Sequence, residues 1–378
     1  MFFLIHYDKI TLLNNFEMLD PKIYPILSEY GQQPYKTYQR MNINGEIKNL
    51  GELNNDQLKE LFTWMLKLKA FDAVCINLQR TGRMGTYPSI RGQEACQIGS
   101  VYGLDKKDWF VPTFRESGSM WFHGIDPVKI MLYWIGNEKG SEFSEENNVL
   151  PVQICVGAHL PHAVGLGWAE RLKKGKQISV CSFSDGATSE GDFHSALNFA
   201  GVYDTRTIFF LQNNKYAIST HTALQTKSKN FAMKAESYGI PGIKVDGNDI
   251  VAVIEVMQEA QRLARDENKS ILIEAVTYRL LDHTTSDNSK LYREDQEVEE
   301  EKLKDPIIRL EKYLKNNNLI TNEEIESINS KAKEEAEKYA ENALNTSDPR
   351  PEDMFKYLLS KPYKDLERQM NSVKENIV

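Results

Sequence analysis

Ser182-Phe-Ser-Asp-Gly-Ala-Thr-Ser-Glu-Gly-Asp-Phe-His194, then a helical run, then Ile208-Phe-Phe-Leu-Gln-Asn-Asn-Lys-Tyr-Ala-Ile-Ser-Thr220, is the stretch that decides the fold. Two short apolar segments, 178–183 and 207–211, flank it. Both are β-branched or aromatic and too short for a helix, so both read as buried strands. Residues 193–203 between them have helical composition and length. Strand, helix and strand in this order predict a parallel pair with a right-handed crossover.

The polar groups make this unit chemical. Asp185 and Gly186 sit just past the first strand, and Asn213 and Asn214 just past the second. Ligands of an open parallel sheet collect beyond the carboxyl ends of its strands. Asp185 and Asn214 should therefore meet at one edge. A carboxylate, an amide oxygen and a nearby backbone carbonyl are hard donors of the kind Mg²⁺ takes. Gly186 lets the backbone approach a phosphate, and the helix that follows can aim amide N–H groups at it. A lone Asp-Gly would read as an ordinary turn. Both halves together are more specific.

The double pattern resembles the thiamine-diphosphate signature, normally Gly-Asp-Gly, a helix and Asn-Asn, with Ser184 standing here for the first Gly. Within that group the chain resembles the alpha subunit of the decarboxylating component of 2-oxo acid dehydrogenase complexes, of pyruvate or branched-chain type. The resemblance covers roughly residues 55–365. It implies an α/β, thiamine-diphosphate-binding fold, a mainly parallel sheet flanked by helices with a helical C-terminal extension.

Composition agrees with such a protein. The 378 residues are 41% hydrophobic and 26% charged, ample for a buried core. A net charge of −8 with no basic stripe argues against nucleic acid as a partner. No apolar run is long enough to span a membrane. Cys75, Cys96, Cys155 and Cys181 are widely spaced and form no Cys-x-x-Cys, so free buried thiols in a reducing, cytoplasmic setting are expected. The opening Met-Phe-Phe-Leu-Ile has neither a basic leader nor a cleavage site, and Met18 and Met41 stand as alternative starts.

Residues 1–50 read as an arm on the surface or on a partner, 51–300 as the α/β domain and 301–378 as a helical extension of it. Residues 54–80 carry apolar side chains at helical spacing. Arg80-Thr-Gly-Arg-Met-Gly-Thr-Tyr-Pro88 offers either anion ligands or solvated loop charges, and Arg91-Gly-Gln-Glu-Ala95 opens a helix to about Tyr102. Gly165 and Gly167 inside a helix over 158–172 imply close packing on the sheet. Asp305-Pro306 and Thr321-Asn-Glu-Glu324 are helix starts, and 348–351 breaks the last helices.

The resemblance assigns roles residue by residue. Phe114 and Arg115 touch the cofactor, with Arg115 on the diphosphate, a task suited to its planar fork. Backbone groups of Ile154 and Val156 hold the aminopyrimidine side. Asp185, Asn214 and the carbonyl of Tyr216 hold Mg²⁺, and amides near Gly186 and Ala187 the diphosphate. In Thr277-Tyr-Arg-Leu-Leu-Asp-His-Thr-Thr-Ser-Asp-Asn-Ser-Lys-Leu-Tyr-Arg293, Arg279 binds diphosphate and His283 serves as general acid or base. That loop is polar and Gly-free, so mobility is expected, and Thr284 and Ser286 match phosphorylated positions of relatives. The glutamate that activates the cofactor lies on a beta subunit in this family. An α2β2 heterotetramer, a lipoyl-bearing acyltransferase core and a small 2-oxo acid are the implied partners. A thiamine enzyme of transketolase or sulfopyruvate type, or a non-catalytic metal- and nucleotide-binding regulatory subunit, are the competing readings.

Overall fold

A computed structural model describes residues 19–31, 36–348, 350, 352–356, 358–361 and 363–376. Met1 and Met18, two of the three candidate starts, and Pro349 and Pro351 lie outside them. In chain order the helices are α1 (Pro25–Tyr30), α2 (Asn55–Arg80), α3 (Glu94–Gly99), α4 (Ser117–Phe122), α5 (Pro127–Ile135), α6 (Leu160–Leu172), α7 (Gly191–Tyr203), α8 (Thr222–Gln225), α9 (Ile250–Glu267), α10 (Asp295–Lys302), α11 (Pro306–Asn316), α12 (Asn322–Leu344), α13 (Asp353–Lys356) and α14 (Lys364–Asn376). The strands are β1 (Trp109–Val111), β2 (Ser179–Ser184), β3 (Thr207–Asn213), β4 (Tyr216–Ala217), β5 (Thr220–His221), β6 (Gly242–Asp246) and β7 (Ile271–Val276).

Five strands form one sheet in the order β1-β2-β3-β7-β6, with every pair parallel. Their continuous apolar runs follow from burial on both faces. In β3, Ile208 and Phe210 enter the core under α2, α3 and α9, while Phe209 and Leu211 enter the core under α6 and α7. β4 and β5 make a small antiparallel hairpin just past β3. The α/β class and the parallel sheet are as expected.

Several local expectations need adjustment. The helix after Gly-Gln-Glu-Ala ends at Gly99 rather than Tyr102. Gly167 does lie against the sheet, since a Cβ there would come within 2.2 Å of Thr205 O, but Gly165 faces open space. Where it is described, part of the segment before residue 50 packs against the domain. Tyr24, Leu27, Tyr38 and Met41 are buried, and Tyr38 pairs with Val245 on the β6 edge. Asp305 caps α11, and Thr321 and Glu324 form the reciprocal capping box of α12. α12 buries Ala332, Ala336, Ala340 and Ala343, and packs on α2 and α5. Its small residues let the backbones approach closely, and Glu324 and Glu335 pair with Lys59 and Lys67 of α2. Among the described residues no helix is long and apolar enough to cross a membrane.

Candidate active site

Parallel strands put all their carboxyl ends on one edge. There β1 leads to Phe114 and Arg115, β2 to Asp185, β3 to Asn214 and β7 to Arg279. Because β7 lies beside β3, the Arg279 backbone N–H reaches Asn214 O at 3.4 Å. A cleft of about 380 Å³ opens there, lined by Phe114, Arg115, Ile154, Val156, Gly186, Asn214, Tyr216, Arg279 and His283. Asp185 and Ala187 are buried beside it rather than lining it. A larger groove between α2 and α12, about 850 Å³, contains none of these groups.

One wall is cationic. Arg115 is 4% exposed and donates from Nη1 to Ser89 O (2.7 Å) and from Nη2 to His283 O (3.0 Å). Arg279 is fully buried and donates to Ile218 O and Tyr292 Oη, both at 2.9 Å. Both guanidiniums also meet His283 Nδ1, at 3.1 and 3.0 Å. A guanidinium only donates. Nδ1 is therefore the acceptor, and the neutral ring carries its proton on Nε2. Burial first, then the two arginines, push His283 down to about 3. Burial and the facing Arg279 also pull Arg115 down. Among the described residues, buried Arg279 Nε has no hydrogen-bond partner. Two close cations and an unused donor make a cradle that an anion would relieve.

The opposite side gathers oxygens. Asn214 Nδ2 donates to Gln93 Oε1 at 3.1 Å, which turns Oδ1 toward the Tyr216 carbonyl and Asp185 Oδ1. These contacts are 3.1 and 3.3 Å in length, and turning the amide over would make them hydrogen bonds. Octahedral oxygen ligands at 2.0–2.1 Å from a small cation lie about 3 Å apart. Both separations from Asn214 Oδ1 are compatible with that edge. Burial raises Asp185, so its carboxylate lacks compensation that a cation would supply. No group of three His, Cys, Asp or Glu side chains converges among the described residues, so this set rests on one carboxylate, one amide and one carbonyl.

The His283 loop is tied down rather than loose. His283 N donates to Asp287 Oδ2 at 2.8 Å, and Tyr292 Oη bonds the same oxygen. Arg293 donates to Arg279 O and to Leu281 O and lies against the rings of Tyr216, Tyr278 and Tyr292. Glu297 accepts the hydroxyls of Tyr216 and Tyr278. The bend needs no glycine of its own. Leu280 packs on Gly92, where a Cβ would come within 2.8 Å of Leu280 Cγ, and its N–H bonds Arg91 O at 3.1 Å. Gly186 has a role beyond ligand approach, because a Cβ there would lie 2.9 Å from Ala217 Cβ on the hairpin. Cys75, Cys96 and Cys181 are buried and free as expected, but Cys155 is exposed.

Sequence reading missed the supports. Asp72, wholly buried on α2, accepts Ser89 Oγ (2.7 Å) and Ile90 N (2.8 Å), and so holds the loop whose carbonyl orients Arg115. A charged residue on the apolar stripe of that helix was the available signal. Gln225 Nε2 bonds Asp185 Oδ2 at 2.6 Å, and no local pattern marks it. Glu116 is buried beside Arg115, accepts Thr113 N and Gln212 Nε2, and is pushed up to about 7 by burial.

Fold and cleft together define an α/β protein with two buried arginines facing a cluster of oxygens at the carboxyl edge of one parallel sheet. The family described as Dehydrogenase E1 component matches residues 63–352, and the chain belongs to it. It is a component of a thiamine-diphosphate-dependent 2-oxo acid dehydrogenase. Relatives include the pyruvate dehydrogenase E1 component subunit alpha of Mycoplasma pneumoniae, 35% identical over 90% of this chain and 96% of that protein. The Mycoplasma genitalium protein of the same name is 37% identical over 81% and 85%. The 3-methyl-2-oxobutanoate dehydrogenase subunit alpha of Mycobacterium tuberculosis is 40% identical over 75% and 77%.

Proposed function

We propose that the chain is the alpha subunit of a pyruvate dehydrogenase, catalysing oxidative decarboxylation of a 2-oxo acid and acyl transfer to a lipoyl group on an acyltransferase core. The observation that carries this reading is the meeting of two half-sites in one cleft, Arg115 and Arg279 on one side and Asp185, Asn214 and the Tyr216 carbonyl on the other. The first would hold the diphosphate and the second Mg²⁺. Bound there, thiamine diphosphate supplies the nucleophilic carbon and the electron sink for loss of CO₂. The protein's own part is to place and shield it. Arg115 and Arg279 would neutralise the diphosphate, and Phe114, packed edge-on to His283 at 5.9 Å between centroids, would shape the wall of the cleft beside them. His283 would serve as general acid or base once a bound anion draws the two arginine donors off its Nδ1.

Ile154, Val156 and Ile218 line the cleft and lie 43–55% exposed. Apolar groups left open beside a functional site favour a protein cover, here a beta subunit in an α2β2 heterotetramer. Three buried free thiols accord with a reducing cytoplasm. A branched-chain substrate is the second reading. It is favoured by Thr86, a small residue lining the cleft, and by the similarity to the Mycobacterium tuberculosis protein.

The test is co-expression with a beta-class partner and parallel assay of pyruvate and 3-methyl-2-oxobutanoate with Mg²⁺ and thiamine diphosphate. The higher kcat/KM names the substrate. A formed, cofactor-loaded heterotetramer inactive on both would refute the proposal, and preference for ATP over thiamine diphosphate would favour a regulatory subunit.

A further inference from the structure

Gln93 belongs to the Gly-Gln-Glu-Ala segment, whose role the sequence left unnamed. Its side chain is fully buried. Its Oε1 receives Asn214 Nδ2 at 3.1 Å, while its own Nε2 is buried with no hydrogen-bond partner among the described residues. The backbone around it is clamped. Gln93 N bonds Ile90 O at 3.0 Å, Gln97 N bonds Gln93 O at 2.9 Å, and Thr277 Oγ1 bonds Gly92 O at 2.9 Å.

The Gln93 and Asn214 amides have two joint arrangements. In the first, Gln93 presents oxygen, Asn214 presents nitrogen to it, and Asn214 Oδ1 faces Asp185 and Tyr216. In the second, Asn214 is turned, and its nitrogen bridges Tyr216 O at 3.1 Å and Asp185 Oδ1 at 3.3 Å. Turning Asn214 alone would set two oxygens 3.1 Å apart across the pair, so Gln93 must turn with it and offer its nitrogen. The second arrangement satisfies the acceptors when no cation is present, but it puts a donor where a cation would sit. The first sets Asn214 Oδ1 against the Tyr216 and Asp185 oxygens, with Tyr216 N–H on Asn214 Oδ1 at 3.4 Å and Arg279 Nη1 on Tyr216 O at 3.3 Å as partial relief, and a cation would favour it further.

We infer that Gln93 is a positioning residue whose amide turns together with that of Asn214, and that its oxygen, by holding Asn214 Nδ2, presents Asn214 Oδ1 to the divalent cation. This rests on the cation site proposed above. Cation binding then selects the first arrangement, and the affinity of the site depends on a residue that never touches the ion.

The experiment measures Mn²⁺ dissociation constants by electron paramagnetic resonance, with thiamine diphosphate present, on the full chain with its partner. Gln93→Met removes the acceptor at nearly constant volume, and weakening on the order of tenfold is expected, the size of one buried amide hydrogen bond. Gln93→Glu keeps an acceptor and should bind within threefold of the native protein or more tightly. Asn214→Asp presents oxygen in either orientation, so adding Gln93→Met to it should cost less than twofold. That cycle still reads the coupling if Gln93→Met alone folds poorly. Equal Mn²⁺ binding by the native protein and Gln93→Met, equal losses in Gln93→Met and Gln93→Glu, or an undiminished loss in the Asn214→Asp background overturns the inference. Absence of Mn²⁺ binding by the native protein overturns the cation site itself, and the inference with it.

Discussion

Replacing Arg115 with lysine tests the cationic wall most directly. Arg115 divides its fork between Ser89 O at 2.7 Å and His283, whose O and Nδ1 lie 3.0 and 3.1 Å from Nη2. A lysine ammonium ends near the guanidinium carbon, short of both fork tips, so it cannot serve both sides at once. It keeps the charge and loses at least one charge-assisted hydrogen bond, either directly to the diphosphate or to the carbonyl that aims it. Each such bond contributes about 1.5–3 kcal/mol, which corresponds to about a 10- to 100-fold weaker dissociation constant for thiamine diphosphate. Titration calorimetry at saturating Mg²⁺ measures it. Free Mg²⁺ affinity should move far less, because Arg115 makes no contact with Asp185, Asn214 or Tyr216. Thiamine diphosphate binding within threefold of the native protein would refute the placement of the diphosphate against Arg115.

Three further expectations follow from the same geometry. Gly186→Ala drives a methyl to 2.9 Å from Ala217 Cβ and should cost about 1–3 kcal/mol of stability; Ala217→Gly added to it should restore the melting temperature, and failure to do so would mean the clash lies elsewhere. His283→Ala should lower kcat about 100-fold or more while thiamine diphosphate binds at least as well, since His283 Nδ1 occupies donors of both arginines; a tenfold loss of affinity would instead make the imidazole a binding group. Glu116 holds its proton up to about pH 7 in the folded chain against 4.5 for an ordinary glutamate. The folded state therefore binds more protons than the unfolded one between those values, and stability falls as pH rises from 4.5 to 7, by up to about 3 kcal/mol from this group. Glu116→Gln should flatten that part of the stability profile in urea melts, and an unchanged slope would count against the burial of a protonated Glu116.

Much of the chemistry could be read before any coordinates. Asp185 and Asn214 announce themselves because each follows an apolar run that can only be a buried strand, and parallel strands share an edge. The caps at Asp305 and Thr321 depend on residues within a turn of themselves, so local spacing suffices. The N-terminal segment was harder, because its burial depends on the β6 edge and α9 more than 200 positions away. The His283 loop read as mobile from its composition, but its order comes from Asp287, Tyr292 and Arg293 closing back on it.

The sequence alone determined the α/β class, the parallel sheet and the identity of the residues brought to its carboxyl edge, because these follow from apolar period and from what stands next in the chain. How those residues are held follows from long-range packing. The insertion of β7 beside β3 sets Arg279 next to Asn214. The crossing of α2 beneath the cleft brings Asp72 to the loop that orients Arg115. The return of the chain after the hairpin puts Gln225 on Asp185, and the loop before α3 puts Gln93 on Asn214, 121 positions away. Such contacts depend on strand order and helix packing, and side-chain chemistry read along the chain carries no record of either.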